Sequence, residues 1–374
     1  MRIGGKNMKR IAVVGTQGVP AQYGGFESLV ENLIGEFRSA DVEYTVFCSA
    51  KDYSFRQERH KGAVLKYIPF FHANGIGSIP YDILSLLRCI RGFDTVLVLG
   101  VSGGIFLPVF RMLARGRLVV NIDGLEHRRA KWGSLAKKFL KTSEAMAVHC
   151  ADTIIADNKG IQNYVRETYG KPSVLIAYGG DHALRSVSRK KQDLILQGMG
   201  LRRKGYALSI CRIEPENNCH ITLKAFVDSE IPLVFVGNWD RSCYGQQLKE
   251  KYCGLPNMVL LDSIYDLDVL FALRANACVY VHGHSAGGTN PSLVEAMFFG
   301  CPILAFDVFY NRATTFGRAC YYHDSRELRA WIDLLPLDGT EMRKLAERHY
   351  RWENIVRQYE GLYLDFLPKA VTSP

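Results

Sequence analysis

The stretch Tyr280–Asp307, YVHGHSAGGTNPSLVEAMFFGCPILAFD, holds the residue types and spacing with the clearest chemistry in the chain. Asn290 is placed as a helix N-cap with Pro291 at the first helical position, and Gly300 stands where such a helix stops. The turn Gly287-Gly288-Thr289-Asn290 ahead of it presents backbone N–H groups and the positive end of a helix dipole, an arrangement that suits an anion. Glu295 lies four residues past Pro291, so its carboxylate can reach beyond bound phosphates to the hydroxyls of an attached sugar. Phosphates followed by hydroxyls point to a nucleotide. The plainer alternative is that Gly287 and Gly288 only make a tight strand-to-helix turn and that Glu295 is a solvated charge.

These groups need elements to position them, and the sequence predicts α/β units. Ile11–Val14 reads as a buried strand, followed by the loop GTQGVPAQYGG and by a helix whose Phe26, Leu29, Val30, Leu33, Ile34 and Phe37 recur at helical spacing. The loop is too long for a G-x-G-x-x-G fingerprint, which argues against a dinucleotide on this turn. Gly24 and Gly25 at the helix entrance still permit close backbone approach to a ligand, or merely permit the turn. Further strands are read at 44–49, 64–70, 95–100, 117–123, 152–157 and 173–178, with helices between most of them, which implies a parallel sheet covered on both faces. A polar, basic connection runs from Gly179 to about Lys204. The alternation then restarts with strands at 206–212, 232–237 and 258–263 and leads into the stretch described first. The tail from Gly339 to Leu367 has Met342, Leu345, His349, Trp352, Ile355, Tyr359 and Leu362 at helical spacing. It reads as one long helix whose end crosses back to the first domain. The domain boundaries are placed at 1–183, 184–350 and 351–374.

A chain of 374 residues suggests two domains, and 48% hydrophobic with 22% charged residues is the composition of a folded protein. A formal charge of +10 favours anionic partners: nucleotide phosphates, acidic lipids or nucleic acid. Ten cysteines without a Cys-x-x-Cys pair fit reduced core thiols in a cytosolic protein better than a disulfide framework or a zinc site. His282 and His284 could share a metal on one strand face, but no third ligand stands at a sensible spacing. The apolar stretch Thr95–Phe110 is broken by three Gly and one Pro and reads as strand, turn and helix rather than a membrane span. No secretory signal is read; residues 1–7 are read as a leader before Met8.

The segments GVPAQYGGFE (18–27), NIDGLEHRRAKWG (121–133), CRIEPENN (211–218), VGNWD (236–240) and HGHSAGGTNPSLVEAM (282–297) together resemble the rhamnosyltransferase branch of glycosyltransferase family 4. The likeness keeps the motif order over essentially the whole chain. It implies the GT-B fold: two Rossmann-like, doubly wound α/β domains facing a cleft, with a C-terminal helix crossing back to the first. Glu295 matches the second Glu of the family's Glu-x7-Glu motif and would bind the ribose of the donor nucleotide. Gly287 takes the place of the first Glu, which removes a carboxylate from the sugar site and suits a deoxy sugar with fewer hydroxyls. Arg212 matches the Arg that neutralises the diphosphate leaving group, whereas Asn217 stands where a Lys is usual. The amides of Gly288, Thr289 and Asn290 would then carry more of that charge, with Gly25 a further donor-site candidate. The fold implies chemistry without a bound metal, and no Asp-x-Asp element is read as holding one.

In the first domain Asp123, Glu126 and His127 follow a strand end, where Asp123 or His127 could orient or deprotonate an acceptor hydroxyl. Glu27 and Glu126 are acceptor-side candidates, although a helix N-terminal charge interaction would equally explain Glu27. The segment HRRAKWGSLAKKFLK (127–141) interleaves Arg and Lys with Trp132, Leu135, Phe139 and Leu140, which fits an anionic membrane surface or else a solvated helix with a buried stripe. Nucleic-acid binding is not expected, since no recognised module is present. The resemblance implies a cytoplasmic enzyme on the inner face of the membrane. It would retain anomeric configuration and move rhamnose from dTDP-rhamnose to a lipid-linked saccharide in surface polysaccharide synthesis. The rivals are a nucleotide-sugar 2-epimerase of the same fold and a non-catalytic sugar-nucleotide-binding protein.

Overall fold

The structure, a computed structural model, describes residues 8–21, 24–69, 71–73, 75–128 and 132–364. The segment read as a leader, Arg129 and Lys131 of the basic stretch, and the last residues of the tail lie outside the described residues. Two compact units form: one from the chain up to Tyr178 together with the segment from Trp352, the other from Gly179–Arg351.

The first unit is built on β1 (Lys9–Val14), β2 (Val42–Ser49), β3 (Arg59–His60), β4 (Ala63–Ile68), β5 (Thr95–Leu99), β6 (Arg117–Asn121), β7 (Thr153–Ala156) and β8 (Val174–Leu175), in the order β3-β4-β2-β1-β5-β6-β7-β8. All pairings are parallel except the edge hairpin β3-β4, which the sequence analysis does not anticipate. Its turn residues Lys61 and Gly62 both have positive φ (47° and 82°), the primed-turn geometry that matches strand twist. The central strands are buried on both faces, and Ile11, Val13, Val46, Leu97 and Val119 form a core with Leu29, Val30 and Leu33 of the helix Gly25–Leu33. The stretch weighed as a membrane span resolves into β5, a short 3-10 turn and the helix Leu107–Leu113. Among the described residues no helix is long and apolar enough to cross a membrane.

The second unit has β9 (Ala207–Ile210), β10 (Leu233–Val236), β11 (Met258–Leu261), β12 (Val279–His282), β13 (Ile303–Phe306) and β14 (Cys320–Tyr322) in the order β11-β10-β9-β12-β13-β14, all parallel. Counted within the unit this is 3-2-1-4-5-6, the Rossmann order, which reverses direction between β9 and β12.

The tail is two helices, Thr340–His349 and Trp352–Tyr363, not one. Tyr350 ends the first helix: its N–H still donates to Ala346 O at 2.8 Å, but its carbonyl accepts from Gly180 N at 2.9 Å rather than from a following turn, and its hydroxyl, donating to Thr314 O at 2.8 Å, anchors it there. The second helix does return to the first unit. Trp352, Ile355, Val356, Tyr359 and Leu362 join its core, Asn121 Nδ2 donates to Tyr359 OH at 2.8 Å, and Ser39 N donates to the Glu360 carboxylate at 3.0 and 3.1 Å. Each such buried apolar side chain stabilises the unit by about 1.5–3 kcal/mol.

Candidate functional site

In an open parallel sheet, ligands settle beyond the carboxyl ends of the strands, where the strand order reverses. In the second unit that place lies after β9 and β12, and the candidate donor residues gather there. After β9 the chain runs through Arg212 to a 3-10 turn, Pro215–Asn217. After β12 it enters the glycine turn and then the helix Pro291–Met297. Three hydrogen bonds stitch the two loops together: Asn218 Nδ2 to Gly283 O at 2.9 Å, and both Ser285 N and Ser285 Oγ to Glu216 O at 2.8 Å. Gly283 has no room for a side chain, since a Cβ there would lie 2.3 Å from Asn217 O.

Within this stitched pair, Arg212 is half-buried, with its guanidinium 3.8 Å from the Glu214 carboxylate. Asn217 is buried, and its Nδ2 donates to Arg212 O at 2.7 Å, so it props the loop that carries Arg212. Gly287 has φ of 123°, which a residue with a side chain rarely adopts, although space beside it is open. Gly288 is half-buried and Thr289 buried. Asn290 caps the helix as expected: its Oδ1 accepts from Ser292 N at 3.0 Å and Ser292 Oγ at 2.8 Å, and Pro291 opens the helix.

Glu295 is held from both sides. One oxygen pairs with the Arg274 guanidinium, itself buried on the helix Leu267–Asn276; the other lies 3.3 Å from His182 Nε2. Burial would raise this carboxyl, but the charge of Arg274 and the hydrogen bond from His182 outweigh it and hold the group below the ordinary range. Neither Arg274 nor His182 is anticipated by the sequence analysis. The signal available for Arg274 is a lone cation inside the apolar run VLFALRANA; for His182 it is its place just after Gly179-Gly180.

His282 and His284 stack with ring centroids 4.3 Å apart. Burial pushes the His282 imidazole down to about 3 and keeps it neutral. Among the described residues no group of three His, Cys, Asp or Glu side chains is arranged to hold a metal. Asp266-Leu267-Asp268 spells an Asp-x-Asp that the sequence analysis does not single out, and both carboxylates are engaged by protein groups. Asp266 caps its helix, accepting from Asp268 N and Val269 N, and Asp268 pairs with Arg185 at 2.9 Å and Lys191 at 2.7 Å. All ten cysteines are free thiols.

The first unit has its own concavity at its own reversal point, between β1 and β5. A cavity of about 470 Å³ is lined by Gly15, Gln17 and Gly100 from the strand ends, by Glu27, Asp82, Asp123 and Glu126, and by an apolar wall that includes Phe26, Trp132, Leu135 and Phe139. Gly15 is required here, because a Cβ would lie 2.0 Å from Leu99 O. Asp123 has left-handed backbone, φ 57°, with its N–H donating to Asn121 Oδ1 at 3.0 Å. The structure thus brings Glu27, Asp123 and Glu126 to one cavity. Glu27 spends one oxygen on the glycine loop, accepting from Thr16 Oγ1 at 2.9 Å and Gln17 N at 2.8 Å, and its other oxygen fills the space where a Gly24 side chain would be. Burial pushes its carboxyl up. Gly25 opens the helix that carries Glu27 and belongs to this unit, not to the unit that holds the other donor candidates.

His127 takes a different course from Asp123 and Glu126. Its Nδ1 lies 2.9 Å from the buried carboxylate of Glu144, which also accepts from Tyr164 OH and Tyr169 OH, both at 2.6 Å, and from Lys141 at 3.3 Å. Burial would raise Glu144, but these donors together bring it down to about 2. The helix Ser134–Cys150 is thereby tied to the helix Lys159–Tyr169. Leu135 on the former is 84% exposed beside the cavity wall, next to half-buried Lys137 and exposed Lys138.

A family model described as a domain of unknown function, DUF1972, matches residues 8–181, less than half of the chain. No curated protein matches. Among solved structures, the chain is similar to sucrose-phosphate synthase from Thermosynechococcus elongatus (TM-score 0.76, 17% identity, 96% of this chain and 99% of that one). It is also similar to HepE from Anabaena in complex with UDP-glucose (TM-score 0.73, 15% identity, 96% and 100%). The fold is GT-B. The same GT-B architecture extends to a putative UDP-N-acetylglucosamine 2-epimerase from Listeria monocytogenes (TM-score 0.60, 14% identity, 96% and 97%). At these identities the likeness establishes architecture, and the chemistry has to be argued from this chain's own residues.

Proposed function

We propose that this chain is a metal-independent, retaining glycosyltransferase that transfers rhamnose from dTDP-rhamnose to a lipid-linked saccharide during bacterial surface polysaccharide synthesis, working in the cytoplasm at the inner face of the membrane. The observation that carries the reading is the held carboxylate of Glu295 on the helix behind the glycine turn, at the strand-order reversal of a Rossmann sheet whose adjoining loop presents Arg212. In this reading Glu295 accepts from the pentose, and the diphosphate lies by Arg212 and the amides of Gly288, Thr289 and Asn290. Breaking the sugar–diphosphate bond builds negative charge on the departing phosphate, and groups fixed in advance stabilise it in the transition state. Asn217 contributes by holding the Arg212 loop. The acceptor is assigned to the cavity of the first unit, where Glu27, Asp123 and Glu126 meet an apolar wall. Asp123 or His127, the latter with its Nδ1 on Glu144, is the candidate to orient or deprotonate the attacking hydroxyl. The exposed Leu135 beside Lys137 and Lys138 supports contact with an anionic lipid surface.

The test is transfer from dTDP-rhamnose to a lipid-linked or alkyl glycoside acceptor, run with and without EDTA. Transfer that survives chelation and falls with Glu295→Ala and Arg212→Ala supports the reading; full activity in either variant overturns the site. A second reading is nucleotide-sugar 2-epimerisation, favoured by the likeness to the Listeria monocytogenes structure. Incubation with the nucleotide sugar alone separates the two, since an epimerase converts it without an acceptor.

A further inference from the structure

Glu295 meets any pentose with both oxygens already engaged by protein, Arg274 on one and His182 on the other. We propose that His182 sets the sugar preference of the nucleotide site, favouring a 2′-deoxyribose over a ribose by donating to the Glu295 oxygen that a second pentose hydroxyl would need. This rests on the reading of Glu295 as the pentose ligand.

The direction of the hydrogen bond follows from the partners. An ionised carboxylate only accepts, and buried Arg274 keeps Glu295 ionised, so His182 Nε2 carries the hydrogen. The backbone that delivers the imidazole is fixed by packing. A Cβ on Gly180 would lie 2.8 Å from Val294 Cγ1 and 3.0 Å from Glu295 N, so the turn sits directly on the helix that carries Glu295. Gly180 N donates to Tyr350 O at 2.9 Å, Ala183 N to Gly180 O at 3.1 Å and Leu184 N to Asp181 O at 3.0 Å, which closes the 3-10 turn Asp181–Ala183 with His182 at its centre. A ribose brings two hydroxyl donors on adjacent carbons and is best matched by a carboxylate with both oxygens open. A 2′-deoxyribose brings one. Each carboxylate oxygen can accept twice, so Arg274 and His182 leave one site on each; on the oxygen that His182 holds, a 2′-hydroxyl has only the site beside the imidazole, and a hydroxyl kept from it is buried unpaired and penalised.

The experiment compares UDP with 2′-deoxyuridine diphosphate, which differ only at C2′, by isothermal titration of the full chain. The expected result is that wild type binds the deoxy form about tenfold more tightly, the lower end of the penalty for one buried unpaired hydroxyl. His182→Ala should bring the two affinities together by tightening UDP, while His182→Gln, which keeps an N–H donor, retains part of the preference. Equal affinities in wild type, tighter UDP, or an unchanged ratio in His182→Ala overturn the role of His182. If Glu295→Ala then abolishes binding of both nucleotides, the pentose reading stands without it; if neither nucleotide binds wild type, the nucleotide site falls and the inference with it.

Discussion

The Arg274–Glu295 pair is the residue-scale feature on which most depends, because Arg274 is buried and Glu295, half-buried, would keep only His182 as a partner without it. Arg274→Ala should cost about 3–5 kcal/mol in urea unfolding, the size expected when one partner of a buried ion pair is removed. Arg274→Ala combined with Glu295→Ala should recover part of that loss. At the proposed leaving group, Arg212→Ala should lower turnover by about 10²–10³-fold, as for loss of one fixed transition-state donor, while leaving the unfolding midpoint nearly unchanged because Arg212 is half-buried. Asp82 supplies a pH-dependent test. Burial pushes its carboxyl up from 3.8 to about 8, so the folded chain keeps a proton that the unfolded chain gives up. Stability therefore falls as pH rises between those two values and levels off above the upper one. Asp82→Asn, which lacks this titration, should raise the melting temperature at pH 8 and leave it little changed near pH 4, read by calorimetry. Glu144 has the opposite sign: its carboxyl lies at about 2 against an ordinary 4.5, so its stabilisation is present at neutral pH and lost as pH drops through that interval.

At the scale of elements, what was legible in the sequence was what is decided locally. Asn290, Pro291 and Gly300 bound a helix by rules that act over four or five positions, and the structure places that helix at Pro291–Met297. Asn290→Ala should cost about 1 kcal/mol, the usual worth of an N-cap, whereas Asn290→Asp should be tolerated, measured by thermal unfolding. The strand runs were legible because strands covered on both faces are continuously apolar, as in IAVV and LVFV. Contacts made across the fold left little trace in the pattern. The break at Tyr350 is set by Thr314 and Gly180, distant in sequence, so helical periodicity alone reads through it. The partners of Glu295 escaped for the same reason: His182 and Arg274 come from other elements, and neither position announces which carboxylate it will meet. His127 is a further case, a polar loop residue whose chemistry suggests catalysis and whose Nδ1 meets Glu144 on a helix that no local rule places there.

At the scale of the whole molecule two α/β domains were readable from two rounds of strand–helix alternation, the GT-B arrangement from the family resemblance, and the return of the last helix from its apolar spacing. Two cores predict two unfolding events. In calorimetry, dTDP should raise the transition of Gly179–Arg351 and leave the other in place, since a ligand stabilises only the unit that binds it; a uniform shift of both would count against a nucleotide site confined to the second unit. The return of Trp352–Tyr363 to the first core also has a consequence for synthesis. Ribosomes deliver chain at about 5–20 residues per second, so the first-made part waits through the whole of Gly179–Arg351 for the helix that fills its core. The inserted segment can reach its native state while the stretch made before it is still unfinished. The order of completion on the ribosome is therefore the reverse of the order of translation, and a nascent chain stopped just short of Trp352 would carry a finished inner domain flanked by an apolar surface for chaperones to hold.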